Sequence, residues 1–452
     1  MTDTSAVPVA RQTDFSVAAK IGLGILFAAL ICLRLPNVVW NGRFYAEEGE
    51  FFFAYAWHMP WDRALFHPFG GYLNIVASGS TLLLERMVKG GWISLENAPY
   101  FTEGVALLFQ VCPGVLILAS RAAWLGSRWA RLLALVLIAT PPLTEQIWLH
   151  TLHSQFHLAL CAALILATDT GGALGLRAFR IVLLILGPLC GPPAIVLTPF
   201  FVLRTLLDRS RERAVQTAAL GLASLAQLAF FFTPNGERGY HIDPTVLASV
   251  VSVRHIALPL LGPVLSASLA HPLQSLLEAG GFPWAAVLTT VLVFGGLSLA
   301  ALARWREAPA WLLIPGMTLA VVSYYGAIHG GVRLLALDWA TRYSYVPQAL
   351  VGLALLAFAA SYKGAPSKVF LALAVWIAFI GASSYFRPLG SLREGPDWRA
   401  EVAAWRADPQ HRLASWPKAY WLIDLAPTDE QCAVDLQAPG QPDFCDWYWD
   451  KL

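Results

Sequence analysis

The chain has 452 residues, of which 57% are hydrophobic and only 13% are charged, about half the roughly 25% charge of an average soluble domain. So few charged side chains could not cover a soluble surface, so the composition excludes that class and predicts an integral membrane protein in a lipid bilayer. The 31 basic and 29 acidic residues leave a formal net charge of +2, which gives no electrostatic case for nucleic-acid binding.

The first predicted element is an uncleaved membrane span over about 17–33. Arg11 and Lys20 precede an apolar run that ends at Cys32, which is the pattern of a signal peptide. The segment Leu33-Arg34-Leu35-Pro36 follows, where a cleavage site would need small residues. We therefore expect this helix to remain in the membrane, with its start on the cytoplasmic side.

Apolar runs predict an all-α polytopic fold with about eleven transmembrane helices, counting about 20 residues for a full span and fewer for a broken one. A long first external loop over 34–100 follows the first span and contains an amphipathic helix over 75–88. The later runs lie at about 101–120, 132–140, 156–168, 181–190, 194–207, 214–232, 285–303, 310–327, 346–360 and 369–382. Pro141-Pro142 and Gly191-Pro192-Pro193 divide the short runs, which is typical of discontinuous helices around a cavity.

The domain limits follow from these runs. A transmembrane domain covers 1–382 and includes a large external loop over 233–284, and a small tail domain covers 383–452. The short loops between other runs carry mainly Arg and Lys, which indicates that they and the N-terminus are cytoplasmic. Eleven crossings then put the tail outside, in an oxidising compartment where Cys432 and Cys445 are expected to form a disulfide.

The most informative polar segment follows the first span. It contains Arg43, Glu47, Glu48 and Glu50 among aromatic residues that include Tyr45. Carboxylates in an apolar setting have raised pKa values and serve as general bases. The alternative is a membrane-surface helix with ordinary interfacial charges.

Two further polar clusters contain candidate binding residues. His150, His153 and His157 have helical spacing and are candidates for binding metal or phosphate, or for donating hydrogen bonds to a sugar; the alternative is that they pack in the core. The second cluster contains His329, Arg333 and the pair Arg342-Tyr343, in which Arg342 suits a lipid phosphate. The alternative for Arg342 is an ordinary interfacial arginine, whose charged end reaches the lipid headgroups.

Other features narrow the chemistry. Arg254, in the large external loop over 233–284, is a further phosphate candidate, and Trp57, Trp61 and Trp148 are candidates for stacking on a sugar ring. The sequence has no P-loop, no dinucleotide fingerprint and no Cys/His metal cluster. It therefore indicates no metal site, although a divalent ion as cofactor stays open.

The arrangement resembles the GT-C superfamily of membrane glycosyltransferases. The resemblance rests on a first span followed by the acidic motif Glu47-Glu48, a long first external loop with an amphipathic helix, about eleven spans, and Arg342-Tyr343 before a late span. Tryptophans in the tail are similar to those of bacterial members. Members of this family often carry Asp where this chain has Glu-Glu, which leaves open which carboxylate corresponds to the family's base.

The resemblance implies inverting transfer of a sugar from a polyprenyl-phosphate donor to a glycan or lipid acceptor at the outer face of the bacterial inner membrane. Such a reaction belongs to cell-envelope chemistry, for example polysaccharide or lipopolysaccharide modification. Glu47 or Glu48 would be the base, and Arg342, with Arg43 or Arg333, would bind the phosphate. Further substrate-binding candidates are Tyr45, His150, His153, His329 and Tyr343.

Two other function classes remain open. A transporter or lipid flippase would also explain broken helices and polar groups within the membrane. A polysaccharide polymerase or ligase would use the large loop over 233–284. Between the two acids, a possible helical pair of Arg43 with Glu47 favours Glu48 as the base.

Overall fold

The computed structural model describes residues 14–231, 243–327, 331–387, 392, 394–417 and 421–426. This part is helical apart from one two-stranded antiparallel sheet. Within it, eight helices are long and apolar enough to cross a membrane, and one bent helix pair would raise the number to nine. The prediction of an all-α polytopic membrane protein is confirmed at this level.

The α-helices are numbered in chain order along the described ranges. The first loop and the spans around it contain α1 (Val17–Arg34), α2 (Pro36–Asn41), α3 (Ala54–His58), α4 (Trp61–Phe66), α5 (Ile75–Lys89) and α6 (Ala98–Ala119). The middle of the chain forms α7 (Arg128–Ala139), α8 (Ser154–Ala167), α9 (Leu174–Leu189), α10 (Thr198–Asp208), α11 (Arg211–Phe231), α12 (Pro244–Val251) and α13 (Leu258–Glu278). The last helices are α14 (Trp284–Thr290), α15 (Gly296–Leu302), α16 (Ala308–Tyr325), α17 (Tyr345–Ser361), α18 (Ala365–Tyr385) and α19 (Trp398–Ala407).

Local sequence explains where the helices that frame the first loop begin and end. The Ser16 hydroxyl caps α1 by accepting a hydrogen bond from the Ala19 amide at 3.2 Å. A proline at position 36 ends α1 and starts α2. Asn74 caps α5 by accepting from the Ala77 amide at 3.3 Å. The first loop therefore contains the helix that the amphipathic pattern predicts there.

The centre of the bundle is formed by α8 and α17. Every residue of α8 is buried, and α17 is buried from Tyr345 to Phe358. Neighbouring segments approach each other closely at glycine residues of the spans. A Cβ added at Gly316 would lie 2.9 Å from Leu350 Cβ, and one added at Gly381 would lie 1.9 Å from the Thr140 carbonyl oxygen. Close packing of this kind stabilises helix association in lipid, where no hydrophobic effect drives it.

The connection between α9 and α10 is bent by 117°. It passes through Gly191, whose φ of 149° disfavours L side chains, and a 3-10 turn over Pro192–Leu197. A Cβ at Gly191 would lie 2.0 Å from the side-chain oxygen of Gln155. Glycine is required there because the Gln155 side chain occupies that space.

The range 233–284, expected to be an external loop, contains an apolar helical stretch instead. A π-helical turn over Ser252–Ala257 joins α12 to α13, and Pro244–Glu278 is apolar enough to enter a membrane. Arg254 lies fully buried in this stretch and donates to the carbonyl oxygens of Leu334 and Ala336, each at 2.7 Å. Arg254 therefore fixes the chain before Arg342, and its candidacy as a phosphate ligand is not supported.

The tail packs against the first loop. The Trp398 indole on α19 donates to the Leu95 carbonyl at 2.9 Å, and Arg406 lies 2.9 Å from Glu96. After α19, strands β1 (Leu413–Ser415) and β2 (Trp421–Ile423) form an antiparallel pair, the tail hairpin. Because the first loop follows α1 directly, the tail lies at the end of the bundle opposite to the start of α1.

Candidate functional site

A cavity of about 600 Å³ lies between the first loop, the ends of several spans and the tail hairpin. Its volume is in the range of small-molecule sites. The polar part of its lining comprises Tyr45, Glu47, Tyr72, Gln146, His153, Gln155, Ser323, Tyr325, Arg342 and Tyr343. The apolar part includes Phe69, Phe156, Pro192, Pro193, Val196, Phe231 and Val322, and the tail contributes Pro417 and Trp421. Of the described Asp, Glu, Lys and Arg side chains, Glu47 and Arg342 line it.

Glu47 reaches the cavity from a short segment, residues 44–50, that we term the acidic turn. Arg43 and Phe44 lie outside any helix, and Tyr45 forms a β-bridge with Trp416. The chain then turns at Ala46, with φ of 47°, and continues into a π-helical turn from Glu48 to Phe53. The tail fixes this geometry, because the Ala46 amide donates to the Trp416 carbonyl at 2.5 Å and the Trp416 amide donates to the Phe44 carbonyl at 3.1 Å.

Glu48 is buried beside the cavity and does not line it. Its carboxylate accepts hydrogen bonds from the Thr151 hydroxyl at 2.5 Å, the Thr151 amide at 2.7 Å and the Tyr45 amide at 3.3 Å. Burial raises the pKa of Glu48, and the Thr151 hydrogen bonds partly offset that rise. Its contacts join the acidic turn to the loop that precedes α8.

The structure removes the reason for preferring Glu48. That preference assumed a helical pair of Arg43 with Glu47, but Arg43 does not lie in a helix. Its guanidinium donates to the Trp148 carbonyl at 3.1 Å, and its amide donates to Glu103 at 2.8 Å. Burial raises the pKa of Glu47, while its own backbone amide and the charge of Arg342 act in the opposite direction.

Arg342 lies across from the acidic turn at the start of the span formed by α17. Its amide donates to the side-chain oxygen of Gln146 at 3.4 Å, and its guanidinium lies 4.7 Å from the centre of the Tyr343 ring. The left-handed Ala340, with φ of 53°, turns the chain just before it. Arg342 and Glu47 are thus opposite charges that face one cavity.

The histidine cluster centres on the main-chain carbonyl of Gln146. His150 Nε2 lies 2.6 Å and His153 Nδ1 lies 2.9 Å from that oxygen. His150 stacks on the Tyr45 ring at 4.2 Å. His157 turns into the core, 3.3 Å from the Ile147 carbonyl. His150 and His157 are buried and do not line the cavity, which favours the interpretation that they pack in the core, whereas His153 lines the cavity.

A continuous stack of side chains links the tail to this cluster. The guanidinium of Arg43 lies 5.2 Å from the Trp416 ring centre and 4.7 Å from that of Tyr45. Tyr45 in turn covers His150, whose ring centre is 4.8 Å from that of His153. Arg43 is fully buried in this stack and does not line the cavity, so it supports the site from behind.

Several other candidates lie away from the cavity or outside the described residues. Arg333 is exposed, and its guanidinium covers Trp339 at 4.2 Å. Trp148 is in the core, 4.3 Å from the Arg34 guanidinium. His329, Cys432 and Cys445 lie outside the described residues. Among the residues that the structure describes, no group of three or more His, Cys, Asp or Glu side chains is arranged to hold a metal.

Left-handed backbone is concentrated around the site. Ala46 precedes Glu47, Leu149 precedes His150, and Ala340 lies two residues before Arg342; their φ values are 47°, 53° and 53°. Such conformations cost about 1–2 kcal/mol for a residue with a side chain. Strained backbone of this kind is retained where the surrounding structure requires it, and is common at functional sites.

The sequence analysis missed cavity residues that carry no charge. Gln155 donates to the Tyr72 hydroxyl at 3.3 Å, and both line the cavity together with Trp421 of the tail. The sequence signal that pointed to Gln155 was the Gly191-Pro192-Pro193 break, because the Gln155 side chain occupies the space beside Gly191.

In comparisons with known proteins, no family model, no curated protein and no solved structure matches this chain.

Proposed function

We propose that this protein is an inverting membrane glycosyltransferase, which moves a sugar from a polyprenyl-phosphate donor to a hydroxyl of a glycan or lipid acceptor. The observation that carries this proposal is that Glu47 and Arg342 face one cavity whose other walls are largely apolar and aromatic. A polyprenyl-phosphate sugar has the complementary parts: an anionic phosphate, a polar sugar and an apolar chain.

The apolar wall supports binding of the lipid chain. Pro192, Pro193 and Val196 come from the broken connection between α9 and α10, and Phe231 and Val322 come from the ends of α11 and α16. These residues belong to or adjoin helices that are apolar enough to span a membrane. A chain bound along them would have its phosphate at the end of the spans, where Arg342 lies.

The proposed reaction balances with residues of this chain. Ionised Glu47 takes the proton of the acceptor hydroxyl while the hydroxyl oxygen bonds to the anomeric carbon. The bond from that carbon to the phosphate oxygen breaks, and its electron pair leaves with polyprenyl phosphate. The guanidinium of Arg342 stabilises the leaving phosphate by charge-assisted hydrogen bonds. Attack from the side opposite to the leaving group inverts the configuration.

The raised pKa of Glu47 suits this role. Removing a carboxylate from water makes it a stronger base, and a catalytic base works best when its pKa is near the working pH. On this proposal the cavity opens at the outer face of a bacterial inner membrane. The cytoplasmic side would be the end of the bundle where α1 starts and Asp14 pairs with Arg131.

Binding of polyprenyl monophosphate to the purified full-length protein in nanodiscs tests the phosphate site. We expect Arg342→Gln to weaken binding about 10- to 100-fold, the effect of losing a charge-assisted hydrogen bond worth about 1.5–3 kcal/mol. Arg333→Gln is the matched control, because Arg333 does not line the cavity, and it should bind as the wild type does. Equal binding by wild type and Arg342→Gln would refute the role of Arg342.

Turnover tests the base. In membranes that contain the protein, release of labelled sugar from a panel of polyprenyl-phosphate hexoses and pentoses should fall about 10²- to 10⁴-fold in Glu47→Gln. Binding of polyprenyl phosphate by this variant should persist. A wild-type protein that binds polyprenyl phosphate but transfers no sugar from any donor, and instead moves the lipid across the bilayer, would favour the transporter class.

A further inference from the structure

His153 lines the cavity, and a hydrogen bond to a main-chain carbonyl defines which of its ring nitrogens carries the proton. Its Nδ1 atom lies 2.9 Å from the Gln146 carbonyl oxygen, which can only accept a hydrogen bond. Nδ1 must therefore carry the proton. In a neutral imidazole the other nitrogen, Nε2, then has a free lone pair and is an acceptor. The ring lines the cavity, so this acceptor is available to a ligand.

The surroundings keep His153 neutral. Burial lowers its pKa to about 3, and the nearby positive charge of Arg342 acts in the same direction. The charge of His157 also lowers the pKa of His153, whereas the hydrogen bond to Gln146 raises it. Throughout the physiological pH range Nε2 therefore accepts hydrogen bonds and does not donate them.

We propose that His153 Nε2 is a specificity-determining acceptor, which binds a hydroxyl of the sugar joined to the phosphate at Arg342. This inference rests on the proposed function, because it takes the phosphate position from Arg342. A hydroxyl fits because it donates a hydrogen bond, and His153 and Arg342 line the same cavity. A sugar carbon that lacks this hydroxyl leaves Nε2 without a partner, which penalises binding of the wrong sugar.

Competition against labelled polyprenyl phosphate tests this inference on the full-length protein in nanodiscs. The probes are polyprenyl-phosphate glucose, galactose and mannose, and then every monodeoxy form of the tightest binder. In the wild type we expect one deoxy form to bind about 5- to 10-fold more weakly than its parent, the effect of one neutral hydrogen bond. If every deoxy form binds within twofold of its parent, the inference is overturned.

Two substitutions of His153 test the roles of its two ring nitrogens separately. His153→Asn keeps an N–H group that can donate to Gln146 but removes the acceptor. The deoxy form and its parent sugar should therefore bind this variant about equally. His153→Gln can place its amide oxygen near the position of Nε2 and should retain part of the discrimination. His157→Gln is the control, since His157 is outside the cavity lining, and it should keep the wild-type ratio.

The outcomes distinguish this inference from the proposed function. If polyprenyl phosphate does not bind the wild type, the proposed function fails. If polyprenyl phosphate binds through Arg342 but His153→Asn keeps the wild-type discrimination, only the role of His153 is refuted. Should His153→Asn fail to fold, loss of all discrimination in a folded His153→Gln would equally contradict the proposal, because that variant retains an acceptor.

Discussion

At the scale of single residues, two adjacent carboxylates in this protein have different surroundings and different expected roles. Glu47 faces the cavity and the charge of Arg342, whereas Glu48 is enclosed by hydrogen bonds from Thr151 and Tyr45. Neighbouring side chains on a helical turn point about 100° apart, so one turn can supply a reactive group and an internal brace. The sequence identified the pair but could not show which of the two faced the cavity.

Thr151→Val tests the internal brace. Valine matches threonine in shape but removes the hydroxyl that donates to Glu48, so a buried acceptor loses a partner. We expect the free energy of unfolding to fall by about 1–3 kcal/mol in detergent titrations. Thr318→Val is the control, because the Thr318 hydroxyl donates only to the Ile314 carbonyl one turn earlier in α16. Equal losses in both variants would show that Glu48 does not depend on Thr151.

A third carboxylate, Glu50, should make the free energy of unfolding depend on pH. Burial raises the pKa of Glu50 to about 7, and the charge of Glu47 adds to that rise, while the Leu422 amide and Arg412 oppose it. A raised folded pKa means that the stabilising contribution is complete below about pH 4.5 and is lost as the pH rises through about 7. Glu50→Gln cannot ionise and should avoid this loss.

The measurement is the melting temperature of wild type and Glu50→Gln between pH 5 and pH 8. We expect the variant to gain on the wild type as the pH rises. Glu394→Gln, at an exposed position, is the control and should differ from the wild type by a constant amount. Parallel curves for Glu50→Gln would show that the group ionises without cost in the folded protein.

At the scale of elements, the acidic turn depends on the tail hairpin. The two are joined by the main-chain hydrogen bonds of Trp416 and by the packing of Ile423 on Gly49. A Cβ added at Gly49 would lie 2.5 Å from Ile423 Cδ1 and 3.0 Å from Phe44 Cβ. No larger residue fits at position 49 without moving the hairpin.

Gly49→Ala should therefore lower transfer activity and destabilise the protein by about 1–3 kcal/mol, the usual cost of overpacking a well-packed core. Ile423→Val removes the atom nearest to the added methyl group and should restore part of both properties in the double variant. The measurement is a double-mutant cycle on activity and on unfolding. Additive losses in the cycle would show that the two residues are not coupled.

Hydrophobic runs predicted the helices well because each run is a local property of the chain. All eleven predicted runs fall on helices, from α1 to α18. The stretch Pro244–Glu278 was missed, because it was predicted to be an external loop although it is apolar and its Arg254 is buried. The contribution of Trp416 and Trp421 to the site could not be predicted, since it depends on pairing between segments at opposite ends of the chain.

At the scale of the whole molecule, the first loop and the tail meet at one end of the bundle. Trp398 and Arg406 of α19 contact the chain just before α6. The start of α1 lies at the other end, where Asp14 pairs with Arg131 and Lys20. An odd number of crossings, α1 included, is therefore required from the start of α1 to the tail.

Reporter fusions test this arrangement. Alkaline phosphatase fused after Leu452 should be active, and a fluorescent protein that folds only in the cytoplasm should be dark at the same position. The same two reporters inserted after Gly126, in the loop between α6 and α7, should give the reverse result. Fluorescence at Leu452 would place both the tail and the cavity on the cytoplasmic side and contradict the proposed orientation.

The pairing of Trp416 with the acidic turn also has a consequence for biosynthesis. Ala46 leaves the ribosome about 370 residues before Trp416 does, an interval of roughly 20–70 s at common bacterial translation rates of about 5–20 residues per second. During that time the spans enter the bilayer while the acidic turn lacks its main-chain partner. A nascent chain arrested between the end of α18 and the tail hairpin would contain Glu47, Arg342 and the candidate spans up to α18, yet would not have a formed site. If the proposed function is right, catalytic competence would thus be gained in one late step, when the tail hairpin pairs with the acidic turn.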